Sequence, residues 1–387
     1  MWVALALAGL SGRAQGLATW TPTSTPNTNS WAALAASADG SRLVAASYDD
    51  PAFNPGPIYV STNSGATWEV SGAPLNYWYA LASSTNGDKL VAAVLGESIY
   101  TSTNAGATWT QCTNAPHAPW FALASSWDGH KLVAVSGGTD RSIYTSTNAG
   151  LDWVSNNVPH SEYWYAVACS ADGNKIVAAS NSNTNGGAGA IFTTANGGAV
   201  WISNSVAKVN WSSVASSGDG RKLVACGSGS KLYTSNDGGA NWTQIWGVIG
   251  FFTGAASSAD GSKLLAVSNS GQIYTSIDSG ANWVSNSAPE LPWQHAAASL
   301  DGNLLLAAVP FADIYKQQSA PALNLAAKGN QGLLTWPWPS ARFTVEHNGD
   351  LSTTNWQPLA NLPTLTNWQY QLPVLLNQQK HFFRLKE

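Results

Sequence analysis

The chain has 387 residues, of which only 10% are charged, and a formal net charge of -4. Its 17 Lys and Arg are spread thinly, which leaves no electrostatic footprint for a phosphate backbone or an anionic bilayer and argues against nucleic acid as a partner. Cys112, Cys169 and Cys226 are an odd set without metal-ligand spacing, and the last two sit in apolar strand patterns, so all three read as inert buried thiols.

In chain order, an apolar run from Trp2 to Leu10 with small residues at Gly12 and Ala14 reads as a secretory signal over residues 1–14, although no Lys or Arg precedes it. It predicts a secreted protein, extracellular or at the cell surface. No later run is long enough to span a bilayer. From there a repeat takes over. A Gly follows Asp39, Asn86, Asp128, Asp172, Asp219, Asp260 and Asp301, at intervals of 47, 42, 44, 47, 41 and 41 residues. A period in the forties made of short β-type runs is the sequence form of a β-propeller blade, and seven markers predict seven blades over residues 15–319.

Each blade reads as four strands. In the second these are Trp78 to Ser84 (A), Lys89 to Val94 (B), Ser98 to Ser102 (C) and Thr108 to Cys112 (D). The Asp/Asn-Gly pair makes the A-to-B turn, where positive φ is needed. The seventh repeat supplies strands A to C, ending at Ile314-Tyr315, and then stops. Ala18-Thr19-Trp20-Thr21 matches Ala107-Thr108-Trp109-Thr110, so the N-terminus is expected to supply the missing outer strand and close the ring.

A second marker lies between strands C and D: Ser/Thr, Asn/Asp two on, Gly four on and Trp seven on, six times, ending at Trp68, Trp109, Trp153, Trp201, Trp242 and Trp283. This turn resembles the Asp-box (BNR) motif of sialidase-type propellers. The resemblance implies an all-β propeller fold in which the box is a folding device. The chain departs from the motif with Asn at Asn63, Asn104, Asn148 and Asn196, keeping Asp at Asp237 and Asp278, which preserves an acceptor oxygen but drops the charge a cation site would need. The sialidase site itself has no counterpart. Its arginine cluster would have to come from Arg42, Arg141 and Arg221, and two of these fall in A-to-B turns on the wrong face.

Residues 320–387 show short alternating runs that predict a small β-sandwich-like module. Leu-Leu-Thr-Trp-Pro, Phe-Thr-Val-Glu and the terminal His-Phe-Phe-Arg-Leu are similar to a module ending secreted bacterial repeat proteins; anchoring or sorting, and a simple cap, are both open.

The D-to-A and B-to-C loops share one face, where any site is expected. Eight residues before each turn marker stand Trp31, Trp78, Trp120, Trp164, Trp211, Phe252 and Trp293. Either these rings wedge between blades, or they present faces on which sugar rings stack. Tyr77, Tyr79, Tyr163, Tyr165 and Phe251 thicken the belt. A weakly charged, aromatic, Asn-rich mouth suits a polysaccharide or cell-surface glycan, with no cofactor and no metal. A protein-binding scaffold is one alternative. A glycoside hydrolase or lyase is another, drawing on the loop-face acids Asp49, Asp50, Glu97, Asp140, Glu162, Glu290 and Asp313. His117, His160 and His295 also map to this face, without local ligand spacing.

Overall fold

The computed structural model describes residues 19–26, 29–50, 52–184, 186–319, 323–328, 330–337, 344–350, 353–366, 369–376 and 381–386. The leader expected at residues 1–14 lies outside them. Contacts divide the chain into two compact units, one of Thr19–Gln318 and one containing Ser319–Glu387. Every regular element among the described residues is a β-strand.

Within Thr19–Gln318 the strands form seven four-stranded antiparallel sheets. In the second, strands A to D are Trp78–Ser83, Leu90–Val94, Ile99–Ser102 and Thr110–Gln111, paired in that order. Strand B is buried along its length because both faces of each sheet meet a neighbouring sheet, and its sequence therefore reads as an unbroken Leu-Val-Ala-Ala run. Strand D is two exposed residues, shorter than its pattern predicts, as suits an edge with a single partner. The inner strands pack in a circle, from Trp31–Ala36 against Trp78–Ser83 round to His295–Ala298 against Trp31–Ala36. Sheets packed face to face around a common axis make this unit a β-propeller. The N-terminal strand completes it: Thr21 pairs with Lys316 and Pro22 with Tyr315, on the outer side of the last sheet.

The A-to-B turns are nearly identical. In each, a Ser two before the marker donates to the marker side chain and accepts the N–H of the residue five on, as Ser258 does with Asp260 (2.7 Å) and Lys263 (3.0 Å). Burial alone would raise the Asp260 pKa, but bonds from Ser262 and Ser258 outweigh it and hold the carboxyl below its ordinary value; Asp39 behaves alike through Ser41 and Ser37. The Gly takes a positive φ and lies under a side chain of the preceding blade, Leu304 for Gly40 and the stem of a Lys or Arg in the other six, so that a Cβ on Gly261 would sit 2.7 Å from Lys222. Those cations reach across blade boundaries, Lys175 Nζ to the Asp219 carbonyl at 2.7 Å and Lys222 Nζ to that of Asp260 at 2.9 Å.

One residue before each marker, the backbone closes a circuit. Ala38 N–H donates to Thr85 C=O, Thr85 to Trp127, Trp127 to Ala171, Ala171 to Gly218, Gly218 to Ala259, Ala259 to Leu300, and Leu300 back to Ala38, all at 2.6–2.9 Å. This girdle satisfies polar backbone that the narrow end of the channel would otherwise leave unpaired.

The C-terminal unit holds one sheet with Asn324–Lys328, Gln331–Pro337, Gln369–Leu375 and Thr364–Thr366, and another with Gln357–Pro358, Thr344–Asn348 and Phe382–Lys386. Leu334, Trp336 and Leu372 of the first share a core with Val345 of the second, as a sandwich requires.

Candidate functional site

The seven repeated aromatics do not face solvent. Trp31 is 1% exposed, Phe252 2%, and Trp78, Trp120, Trp164, Trp211 and Trp293 0%. The reading of these rings as a stacking platform for sugars is therefore corrected: they are wedges between blades. Each meets a C-strand aromatic of its own blade edge-on, from Trp293–Tyr315 at 5.1 Å to Phe252–Tyr274 at 5.9 Å. Several indoles also pin the preceding blade's B-to-C loop, Trp120 donating to the Glu97 carbonyl, Trp164 to that of Arg141 and Trp31 to that of Ala312.

A bulge explains the arrangement. In the first six blades the A–B register slips between the ring residue and the residue two on, as between Trp78 and Ala80. The extra residue turns the ring into the blade interface and leaves its successor on the channel wall. Those successors are Ala32, Tyr79, Phe121, Tyr165, Ser212 and Thr253, with Gln294 in the seventh blade, and all line one cavity of about 370 Å³ on the channel axis. Its lining contains no Asp, Glu, Lys or Arg.

The wall has two unlike halves. On one, Tyr79 meets Phe121 at 5.5 Å and Phe121 meets Tyr165 at 5.4 Å; burial, then Tyr165, pushes the Tyr79 phenol pKa upward. Towards the mouth the series continues through Tyr48 to Tyr77, 5.2 Å apart. On the other half, Ser212 donates to the Phe252 carbonyl at 2.7 Å and Thr253 to the Trp293 carbonyl at 2.8 Å, latching adjacent blades. Both oxygens keep lone pairs for a donor in the channel. Burial lowers the His295 pKa to about 4, so it is neutral at pH 7.

The remaining candidates on the loop face are mostly occupied with structure. Asp49 and Glu162 are buried, and Glu162 accepts a hydrogen bond from Ser180. Asp50 accepts from the Asn54 side chain and backbone and from Ala52 N–H, which lowers its pKa. Asp140 accepts from Ser142 and Tyr144, and Glu97 serves through its carbonyl. The downward shift at Asp50 is opposite to what a glycosidic general acid needs. Arg141 packs 4.5 Å over the Tyr163 ring and donates to its hydroxyl. His160 rests against Asp140, whereas His295 lines the channel; among the described residues no three or more His, Cys, Asp or Glu are grouped to hold a metal ion. The thiols are free, and burial pushes Cys169 and Cys226 up to about 12.

In the C-to-D turns, Asn63 accepts from Thr67 N–H at 2.8 Å and Asp237 from Asn241 N–H at 2.9 Å. The partner four residues on changes with the box residue. Asn63 donates to Thr67 Oγ1 and Asn148 to the Asp152 carboxylate, while Asp237 and Asp278 receive from Asn241 and Asn282. Asn and Asp are interchangeable because the donor and the acceptor trade places.

No protein-family model and no curated protein matches the chain. Solved structures do. YCF48 bound to a D1 peptide aligns at TM-score 0.60 and 14% identity over 78% of this chain and 97% of its own. YCF48 from Cyanidioschyzon merolae aligns at 0.59 and 14% over 78% and 99%. The beta-propeller domain of Cps50 (Swd1) from Myceliophteria thermophila aligns at 0.60 and 13% over 78% and 100%. At these identities the likeness establishes the fold, a β-propeller, and leaves the ligand to the residues of this chain. Among the described residues no helix is long and apolar enough to cross a membrane.

Proposed function

We propose that the protein is an exported binding propeller of the Asp-box type that takes carbohydrate at the channel mouth on its loop-bearing face. The observation that carries this reading is the uncharged channel wall, with Tyr79, Phe121 and Tyr165 on one side and Ser212, Thr253 and Gln294 on the other. Aromatic faces stack on the C–H face of a sugar ring while hydroxyl and amide groups meet its O–H groups. Nothing on this wall favours an ion. The stacking residues in this proposal are the successors of the repeated tryptophans.

A protein partner is the second reading, and one feature favours it. The D-to-A connection between blades 5 and 6 exposes Trp246 (78%), Ile249 (72%) and Phe251 (62%) together, with Lys231 Nζ 5.9 Å over the Trp246 ring. A contiguous exposed apolar patch commonly marks an interaction surface.

Titration of the full chain with neutral and acidic polysaccharides, following Trp fluorescence and released reducing ends in the same samples, separates the readings. Saturable binding without release, weakened in Tyr79→Ala and retained in Trp246→Ala, is the expected result. Release of reducing ends moves the case to a hydrolase, and silence across the panel leaves the protein partner.

A further inference from the structure

The two ends of the channel are built differently. At the tight-turn end the seven-membered backbone girdle narrows it, and Trp127 is the one large aromatic among the girdle residues Ala38, Thr85, Trp127, Ala171, Gly218, Ala259 and Leu300. Its indole reaches past the fourth blade to the fifth, where a Cβ on Gly218 would sit 2.6 Å from the Trp127 ring. Gly at that position leaves the room the indole occupies. Above it the seven inner strands enclose about 370 Å³, at the small end of the range of roughly 300–1,000 Å³ for small-molecule pockets.

We propose that the channel is a blind well that receives the terminal residue of an uncharged glycan end-on, and that internal stretches of chain do not enter it. This rests on the carbohydrate reading above and narrows it to chain ends. The reason is topological. An internal sugar has two linkages, and in a well with a floor both must leave through the same mouth; a terminal sugar has one. The wall chemistry sets the class of end residue. With no ionised side chain on the wall, a uronic or sialic acid finds no counter-charge and is rejected by the cost of desolvating its carboxylate. Ser212 and Thr253 spend their protons on the Phe252 and Trp293 carbonyls, so they offer lone pairs to a ligand rich in O–H donors. The aromatic arc supplies the face on which such a ring stacks.

The experiment uses the full chain and linear gluco-, manno- and galacto-hexaoses, each in three forms: native, with the reducing end converted to the alditol, and with the other end blocked as a 4,6-O-benzylidene acetal. Binding is read by calorimetry. In parallel Ala32→Phe fills the well; an aromatic at this bulge position is already accommodated at Tyr79, Phe121 and Tyr165. The expected result is a hexaose that binds in its native form and loses about tenfold or more in affinity when one particular end is modified. Ala32→Phe causes a loss of the same order with an unchanged melting temperature, and Ala32→Ser binds as wild type. A hexaose whose affinity ignores both end modifications overturns the well and leaves carbohydrate binding standing. Failure of every hexaose and polysaccharide to bind overturns both. The end-modification comparison uses wild-type protein and decides the question even if Ala32→Phe does not fold.

Discussion

The two ends of the propeller's inner strands contrast sharply. At the tight-turn end one solution is repeated: Ser bonded to the marker side chain, Gly beneath a side chain of the preceding blade, and a backbone girdle joining all seven blades. At the other end only the buried ring is constant; the residue after it runs from Ala32 to Phe121 to Ser212, and the loops differ in length and exposure. Closure and register are concentrated at the first end, which leaves the second free to vary. With the proposed function, stability and recognition would be carried by different residues of the same strands.

Four measurements break or sharpen this contrast, and the largest effect belongs to the wedges. Trp164→Ala is expected to cost about 3–5 kcal/mol in urea unfolding, because it empties a fully buried site between two blades. Its neighbour Tyr165→Ala, on the channel wall, should cost far less stability while weakening ligand binding. Equal losses from the two would end the division of labour.

Next comes Gly261→Ala at the girdle end. The residue has φ +64 and its new Cβ would press on Lys222, so a loss of about 1–3 kcal/mol is expected by the same unfolding assay. Gly229, also at positive φ but with open space around it, should lose less on the same change.

The ends also differ in the pH at which they weaken. His295 is held neutral, with a pKa lowered to about 4 from 6.5, so the unfolded chain binds its proton first. Stability is then full above pH 6.5 and declines as pH falls to about 4. The turn carboxyls Asp39, Asp219 and Asp260 have folded pKa values below 3.8, so their contribution is present above that value and is lost only as pH falls further. Melting temperature against pH should show two windows, and His295→Gln should flatten the upper one alone.

The fourth measurement is Ser126→Ala, expected to cost about 1–2 kcal/mol, since it removes one hydroxyl that serves Asp128 and the Lys131 N–H together. Asp260→Asn should cost less than that at pH 7, because Asn86 already fills the same place in blade 2 and accepts from both Ser84 and Asp88 N–H.

The fold was legible because each blade is bounded by local chemistry. The Asp-Gly and Ser-x-Asn-x-Gly turns fix where strands reverse, and the match of Trp20 with Trp109 located the closing strand that pairs at Thr21 and Pro22. The site was only half legible. The aromatic at a fixed offset was visible, but whether a ring faces the channel or the blade interface depends on a one-residue slip in pairing with strand B, which no single strand's pattern records. One signal was present in the sequence: an aromatic kept in every repeat serves what every repeat shares, and the position that varies beside it is free of that duty.

The sequence by itself therefore determined the repeat, the turns, the ring closure by the N-terminal strand and the weak charge of the surface, since all of these follow from short-range pattern and composition. Only the tertiary structure decided which rings are wedges, that Trp127 reaches Gly218 two blades away, and that an uncharged wall of unlike halves surrounds the axis. Those properties arise when residues from about forty to about 260 positions apart meet around one axis, and that meeting is set by the bulge and the girdle.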